Sequence, residues 1–227
     1  MNVADAFDFT GTLARWPDLA WGAFNTLWLA LCAMAGGLTI GGAAAWAALS
    51  RRRIVRLVPK IYVEAIRNTP FLVQAYVLYF GLPVLGLRLS SYPAALLSLS
   101  IYAGAYAAEI IRAGIEAVPP GQTEAARSLG LSRGLTLRLV VLRQALVATY
   151  PALASQFVLI MLASSLVSAI AVPELTAVAS DIQGQTFRSF EAFLVVAAIY
   201  LGLTALVRTG LAGLERHVGA FRFAEAR

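Results

Sequence analysis

Residues 22–49 read GAFNTLWLALCAMAGGLTIGGAAAWAAL and contain no charged side chain. An α-helix rises about 1.5 Å per residue, so a helix of this length crosses the roughly 30 Å hydrocarbon core of a bilayer. The stretch therefore predicts a transmembrane helix, and it indicates that the chain is a membrane protein.

The composition of the whole chain agrees with this interpretation. Of its 227 residues, 59% are hydrophobic and 13% are charged. A soluble domain has about a quarter charged residues, and a globule with this composition lacks the polar groups to cover its surface. This excludes a soluble enzyme, a disordered tail and a disulfide scaffold. The membrane helices use up the length of the chain, so we expect no catalytic domain and no enzymatic activity.

Four more apolar segments follow the first one along the chain. Each is long enough to span the bilayer as a helix, and none shows the ten-residue alternation of a membrane barrel. In lipid a helix satisfies all the backbone polar groups of a segment internally. We therefore expect a single all-α integral membrane domain over residues 1–227, with five transmembrane helices at residues 22–49, 59–87, 92–115, 146–172 and 190–211.

The basic residues are distributed unevenly between the two sides of these spans. Of the 18 Lys and Arg residues, 14 lie after the first span, between the third and fourth spans, or after the fifth. Such an excess marks the cytoplasmic side of a membrane protein. The N-terminus is therefore predicted outside and the C-terminus in the cytoplasm. The basic cluster at 51–56 is a topology signal that also attracts anionic lipid, and nucleic acid is not an expected partner.

Small residues recur at helical spacing on the first and third spans. In lipid such faces let two helix backbones approach closely, which replaces the hydrophobic drive that water would supply. We interpret most of these positions as packing residues. They are Gly36, Gly37, Gly41 and Gly42 on the first span, and Gly104 and Ala108 on the third.

The predicted cytoplasmic loop 116–143 contains a second kind of element. Its residues 118–134 read VPPGQTEAARSLGLSRG. Pro119 and Pro120 suit the first turn of a helix, Gly130 suits the left-handed position that ends one, and Ser132 suits the cap of the next. This predicts a helix of about ten residues, too polar to cross the membrane. Held between two spans, it can dock in a groove of another protein and transmit that protein's motion.

Several motifs occur in order along the chain. Glu124-Ala125-Ala126 followed by Gly130 resembles the EAA loop of permease subunits in bacterial ATP-binding-cassette (ABC) importers. Other stretches resemble the polar amino-acid uptake branch of that family, and the likeness covers about residues 20–216. These stretches are YVEAIRNTPFLVQ at 62–74, AAEIIRAGI at 107–115, VPPGQ at 118–122, Leu142 with Gln144 and Ala145, and SSLVS at 164–168.

The resemblance implies a type I ABC importer permease fold in the bacterial cytoplasmic (inner) membrane. It also implies a second permease subunit, a dimer of cytoplasmic ATPase subunits and an extracytoplasmic solute-binding protein. The chain has no GxxxxGK[ST] phosphate loop. We therefore expect ATP and Mg on the partner ATPase, and no cofactor or metal on this chain. The residues implied to couple to the ATPase are Gly121, Gln122, Glu124, Ala125, Ala126, Arg127 and Gly130.

Two places differ from the pattern of that branch. Arg143 stands where the family usually has a proline. Leu162 and Ala163 stand where amino-acid permeases commonly have a polar pair such as Lys-Asp. Charged groups inside a membrane are usually functional, so their absence indicates that this subunit lacks part of the substrate site. We favour a heterodimer, in which another permease chain supplies these contacts, over a homodimer that moves a less charged substrate.

Polar residues within the spans are candidates for the translocation pathway or its gate. The residue before a proline avoids the helical region, so residues 68–70 are predicted to break or kink the second span. Glu64 and Arg67 lie one turn apart and are predicted to pair. The alternative roles are a kinked structural helix and, for the serines, helix packing. The candidates are Glu64, Arg67, Asn68, Thr69, Pro70, Gln74, Glu109, Gln156, Ser164, Ser165 and Ser168.

Together these observations predict a permease subunit of an ABC importer for a polar amino acid or related solute. A stand-alone secondary carrier is the main alternative. It would be expected to contain inverted repeats and paired broken helices, whereas five spans do not divide into equal halves. A structural membrane anchor is a second alternative, against which the predicted break and the cytoplasmic helix both argue.

Overall fold

A computed structural model describes the backbone of residues 7–223 and the side chains of residues 7–215. Over that backbone range the chain forms helices and turns without a β-strand. The helices, in chain order, are α1 (Thr10–Ala14), α2 (Trp16–Ala48), α3 (Arg53–Arg67), α4 (Phe71–Leu85), α5 (Ser91–Glu116), α6 (Pro120–Ser128), α7 (Arg133–Ile170), α8 (Leu175–Thr186) and α9 (Ser189–Phe223).

Four of these helices, α2, α5, α7 and α9, are long and apolar enough to cross a membrane. They coincide with the predicted first, third, fourth and fifth spans. The main differences lie at the helix ends. Helix α2 begins before Gly22, at Trp16, and helix α9 extends well beyond residue 211, to Phe223. These helices continue past their apolar segments into polar residues, because a helix can include residues that lie outside the hydrocarbon core.

The predicted second span, 59–87, is not one continuous helix. It is divided into α3 and α4 by the break that was predicted at residues 68–70. Within α4 the hydrogen bonding changes from α-helical to π-helical at Val77–Gly81 and then to a tighter helix at Leu82–Leu85. The helix α3 begins at Arg53, so part of the basic cluster is helical.

Two further boundaries differ from the prediction. The predicted loop 116–143 is largely helical, because α7 begins at Arg133 and not near residue 146. A π-helical segment, Thr136–Val141, lies in its first turns. The helix α8 was not predicted, since it is short and mixes polar with apolar residues.

The glycine-rich face of α2 packs against α5 over the most extensive helix contact of the bundle. A Cβ atom added at Gly41 would lie 2.7 Å from Ala107 Cβ and 2.8 Å from the backbone of Gly104 and Ala108. At Gly37 it would lie 2.5 Å from Ala103 Cβ. These distances are too short for carbon contacts, so only glycine permits this approach. The predicted packing role of this face is confirmed at these two positions.

Two hydrophobic clusters hold the remaining helices together. The larger contains Leu29, Phe71, Leu99, Ile160 and other buried residues of α2, α4, α5 and α7. The smaller joins α2 to α8 and α9 through residues that include Leu19, Ile182 and Val196. By contrast, only 17% of the most apolar 18-residue stretch of α9 is buried. Much of α9 therefore has an apolar surface that this chain itself does not cover.

Gly41→Ala and Gly42→Ala form a matched pair that tests the close contact of α2 and α5. A Cβ at Gly42 would meet no atom within 4 Å. We expect Gly41→Ala to lower the free energy of unfolding by about 1–3 kcal/mol, the usual cost of overpacking. Gly42→Ala should leave it unchanged or slightly higher. Thermal unfolding of the purified protein in detergent measures both, and equal midpoints for the two variants would contradict the close packing.

Candidate functional site

The cytoplasmic helix α6 has the boundaries that local chemistry predicts. It begins with Pro120 in its first turn and is followed by Gly130, which adopts a left-handed conformation with φ of 82°. The Leu131 amide donates to the Ala126 carbonyl at 3.2 Å, and the Gly130 amide donates to the Arg127 carbonyl at 3.0 Å. These bonds satisfy the last carbonyls of the helix. The predicted short helix and its glycine terminus are confirmed.

The cap predicted for the next helix is present as well. The Ser132 hydroxyl accepts a hydrogen bond from the Leu135 amide at 3.4 Å, at the start of α7. The turn between α6 and α7 is thus fixed by Gly130 on one side and by Ser132 on the other. Because the turn is short and defined, α6 cannot change its direction freely relative to α7.

Helix α6 has one buried face and one exposed face. Its single buried residue is Ala126, and α6 packs on the π-helical segment at the start of α7. The Gln144 amide donates to Gln122 Oε1 at 3.4 Å and adds a polar contact with α7. The exposed residues predicted for ATPase coupling are Gly121, Gln122, Glu124, Ala125, Arg127 and Gly130.

Leu129 is a residue that the sequence analysis missed. It follows the last turn of α6, and 83% of its surface is exposed. Leu129 thus adds an apolar side chain to the exposed, otherwise small and polar, surface of α6. Its sequence signal is an apolar residue directly before the glycine that ends a polar helix.

The break between α3 and α4 is closed by side chains. The side-chain amide of Asn68 donates to the Glu64 carbonyl at 2.8 Å, and the Thr69 hydroxyl donates to the Ala65 carbonyl at 2.9 Å. Gln74 Nε2 reaches back from α4 and donates to the Ile66 carbonyl at 2.8 Å. Carbonyls that lose their helical partner at a break inside a membrane need such donors. The break is therefore a built element and not a local loss of structure.

Gln74 is the residue that connects the two sides of the break. Besides the Ile66 carbonyl, its Nε2 donates to the Thr69 carbonyl at 3.1 Å and to Thr69 Oγ1 at 2.8 Å. Its Oε1 atom is buried and has no hydrogen-bond partner among the described residues. One side chain thus connects α4 to the end of α3 and still has a free acceptor.

A chain of charged side chains extends from the break toward α6. Arg112 donates from Nε to Glu109 at 3.0 Å and from a terminal nitrogen to Glu116 at 2.5 Å. Arg67, the last residue of α3, lies 4.0 Å from the same Glu109 carboxylate and 5.3 Å from the ring centre of Tyr106. The pairing of Glu64 with Arg67 that the spacing predicted is wrong.

The physical reason for that correction is the partner that each residue finds in the folded chain. Glu64 lies 3.9 Å from Lys60 on its own helix, whereas Arg67 turns to Glu109 of α5. Both side chains of the Lys60–Glu64 pair are more than 60% exposed, so that pair contributes little. The pair between Arg67 and Glu109 connects two helices and therefore has more structural consequence.

A cavity of about 510 Å³ lies between α2, α3 and α5. The small residues Ala44 and Ala48 of α2 form one wall. Charged side chains of α3 and α5 form the others: Arg56, Lys60, Glu64, Arg67, Glu109 and Arg112. Three of the predicted pathway residues, Glu64, Arg67 and Glu109, are thus brought together at one cavity.

The remaining pathway candidates lie elsewhere, on α7. Ser164, Ser165 and Ser168 donate to the carbonyls of Met161, Leu162 and Ser165, each at 2.7 Å. Their hydroxyls therefore bond within their own helix. Gln156 is buried in the middle of α7 and does not line the cavity.

A carboxylate that the sequence analysis missed lies between α7 and α8. Glu174 is completely buried, accepts from the Ala177 amide at 2.7 Å and accepts from the Tyr200 hydroxyl at 2.8 Å. Thr26 of α2 donates to the same carboxylate at 3.5 Å. Burial raises the pKa of the Glu174 carboxyl. The contacts connect α2, α8 and α9, so this group has a structural role.

Comparisons with known proteins identify the family of this chain. A family described as binding-protein-dependent transport system inner membrane component matches residues 37–219. The chain belongs to this family. This permease is therefore an inner-membrane component of an ABC transport system, and a stand-alone secondary carrier is excluded.

Individual relatives match nearly the whole permease. The glutamine transport system permease protein GlnP of Escherichia coli (strain K12) is 37% identical over 93% of this chain and 98% of its own length. The probable glutamine ABC transporter permease protein GlnM of Bacillus subtilis (strain 168) is 35% identical over 96% of this chain and 98% of its own.

A solved structure gives the same result for the fold. The crystal structure of an amino acid ABC transporter with histidines superimposes with a TM-score of 0.88 and 38% identity. It covers 93% of this chain and 99% of that one. The type I importer permease fold that the motifs implied is thereby confirmed.

Gln74→Met tests the role of this side chain at the break. The variant keeps the size of the side chain and removes the donor that three acceptors share. Leaving the part-buried Ile66 carbonyl without this donor costs about 1–3 kcal/mol, so we expect a lower unfolding midpoint in detergent. Gln183→Met is the control, because no hydrogen bond of the Gln183 side chain is found within residues 7–215. A midpoint equal to that of the control would show that Gln74 does not hold the break.

Proposed function

We propose that this chain is the transmembrane subunit of an importer for a polar amino acid, with ATP hydrolysed by a partner subunit that holds ATP and Mg. The relatives named for glutamine transport and the structure named for an amino acid transporter support this solute class. The observation that carries the proposal is the exposed helix α6, fixed between two membrane helices of a chain in this family.

We infer that five spans cross the membrane, with α3 and α4 together forming the broken second one. The proposed order is α2, then α3 with α4, then α5, α7 and α9. The distribution of the basic residues supports an orientation with the N-terminus outside, α6 in the cytoplasm and α8 on the outer side. In this arrangement α6 faces the ATPase partner, and α8 faces the side from which a solute-binding protein delivers the solute.

The contact with the ATPase is proposed to form on the exposed face of α6. Ala125 is small enough to permit close approach, Glu124 and Arg127 supply charged hydrogen bonds, and Leu129 supplies an apolar anchor. Gly121, Gln122 and Gly130 shape the ends of the same surface. Ala126 is buried against α7, so its proposed role is to attach α6 to this chain.

The proposed mechanism uses the connections of α6 to its two neighbours. Helix α5 ends at Glu116 and α7 begins at Arg133, so α6 is joined by short turns at both ends. Closure of the ATPase dimer would displace α6 and, through it, α5 and α7. Because Glu109 of α5 is close to Arg67, the movement would also reach the end of α3 and the break at 68–70.

The break is the proposed gate of the pathway. Alternating access requires two arrangements of α3 and α4, and we propose that the side-chain donors of the break follow their backbone acceptors from one to the other. Arg67, Asn68, Thr69, Pro70 and Gln74 form this region.

The other predicted pathway residues have more distant roles in the proposal. Glu64 and Glu109 line the cavity between α2, α3 and α5. Gln156, Ser164, Ser165 and Ser168 remain candidates for the part of the pathway formed by α7.

Gly130→Leu and Gly134→Leu test the coupling role of α6. Gly130 has positive φ, so a side chain there costs about 1–3 kcal/mol of backbone strain and distorts the turn. Gly134 is helical, and a Cβ atom there would meet nothing within 4 Å. We expect Gly130→Leu to abolish solute uptake and to weaken ATPase binding, and Gly134→Leu to retain both. Uptake into vesicles and co-purification of the ATPase are the measurements.

Glu124→Lys gives an independent test of the same surface. The side chain is exposed, so its reversal should not affect membrane insertion but should abolish uptake and weaken ATPase binding. Normal uptake by either Glu124→Lys or Gly130→Leu would overturn the assignment of α6.

The proposed heterodimer is tested with two differently tagged copies of this chain. Leu162 and Ala163 supply no charge to the substrate site, so we expect a different permease chain as the partner. Purification through one tag should then recover the other permease and the ATPase but not the second tagged copy. Recovery of both tags in one active complex would establish a homodimer and contradict the proposal.

A further inference from the structure

The cavity between α2, α3 and α5 has an uneven distribution of charge. At its inner end, Arg67 and Arg112 lie beside Glu109, and Arg112 also bonds to Glu116. These charges largely compensate one another. The inner end therefore has little net charge, and it lies beside the proposed gate at residues 68–70.

The outer end of the cavity, which Arg56 and Lys60 line, has an excess of positive charge. Arg56 lines it, and no acidic side chain within residues 7–215 lies at ion-pair distance from the guanidinium. Lys60 lies one turn further along α3, and its contact with Glu64 at 3.9 Å is weak and exposed. Arg56 and Lys60 thus face the same space, and together they have more positive charge than Glu64 can neutralise.

The two ends are well separated along α3. Arg56 and Arg67 are eleven positions apart, which corresponds to about 16 Å of helix. Arg56 is the last residue of the basic cluster 51–56, which in the proposed orientation lies at the cytoplasmic surface. The outer end therefore lies at the depth of the lipid headgroups.

The opposite side of α3 is apolar and uncovered. Ile54 is 80% exposed, Val58 is 64% exposed and Ile61 is 57% exposed. Acyl chains need such a surface next to a headgroup site, whereas a free anion has no use for it. The small residues Ala44 and Ala48 leave room between α2 and α3 for a group to enter.

We propose that the outer end of this cavity binds the phosphate headgroup of an anionic phospholipid from the cytoplasmic leaflet. Arg56 and Lys60 donate hydrogen bonds to the phosphate oxygens, and the acyl chains lie along Ile54, Val58 and Ile61. Basic pockets between transmembrane helices on the cytoplasmic side are suited to such headgroups. The proposal rests on the orientation given in the proposed function.

The test uses the complete transporter complex in nanodiscs of two compositions. One contains phosphatidylcholine alone, and the other contains equal parts of phosphatidylcholine and phosphatidylglycerol. A lipid that binds the folded state raises its unfolding midpoint. We expect phosphatidylglycerol to raise the midpoint of the wild type, and Arg56→Gln/Lys60→Gln to lose at least half of this rise. The number of phosphatidylglycerol molecules that remain bound after detergent purification should fall in the same variant.

Two control variants make the result specific to the cavity. Arg52→Gln/Arg53→Gln removes the same charge from the same cluster at positions that do not line the cavity, so it should retain the rise. Arg56→Lys/Lys60→Arg retains the charge and should behave as the wild type. An equal loss in both glutamine pairs would mean general attraction to the membrane and would overturn the site. An unchanged rise in Arg56→Gln/Lys60→Gln would do the same.

Inorganic phosphate added to the phosphatidylcholine nanodiscs separates the two sources of the anion. If phosphate alone reproduces the rise, the occupant is a free anion and the lipid proposal is wrong. This outcome differs from a failure of the proposed function, which would appear as normal uptake in Gly130→Leu or Glu124→Lys. A missing lipid effect in a complex that transports normally overturns only the lipid site.

Discussion

The fold depends on the requirement that backbone polar groups inside a bilayer find partners within the protein. Continuous helices meet it without help, which explains the long helices α2, α5, α7 and α9. The one place in the second span where the helix stops has a separate solution. There Asn68, Thr69 and Gln74 supply donors to the carbonyls at the end of α3. The polar residues at the break are therefore needed to satisfy its backbone carbonyls, although the surrounding chain is apolar.

The same requirement explains why the break can serve a mechanism. A helix interrupted in lipid without such donors would be unstable in any position, so it could not occupy two states. Side-chain donors are attached by rotatable bonds and can follow their acceptors over small displacements. Gln74 is the clearest case, because it lies on one helix and bonds to the end of the other. The break thus combines order with the freedom to change angle.

Features that depend on residues close together in the sequence were predictable, whereas contacts between residues far apart in the chain were not. The ends of α6 were predicted correctly because Pro120, Gly130 and Ser132 act on their immediate neighbours. The role of Gln74 was not predicted, since its acceptors become close only when the chain turns at Pro70. Arg67 was assigned to Glu64 by helical spacing, whereas its partner, Glu109, lies on another helix. Helix α8 was missed because its short, mixed sequence has no strong pattern.

The glycine contact between α2 and α5 has a consequence for how movement would spread through the subunit. With backbones this close at Gly37 and Gly41, the two helices have no space to slide past one another. We therefore expect them to move together, although residues 49–90 separate them in sequence. A spectroscopic label near Trp46, at the exposed end of α2, would thus follow the displacement of α5 from a distance, without disturbing the helix that carries Glu109.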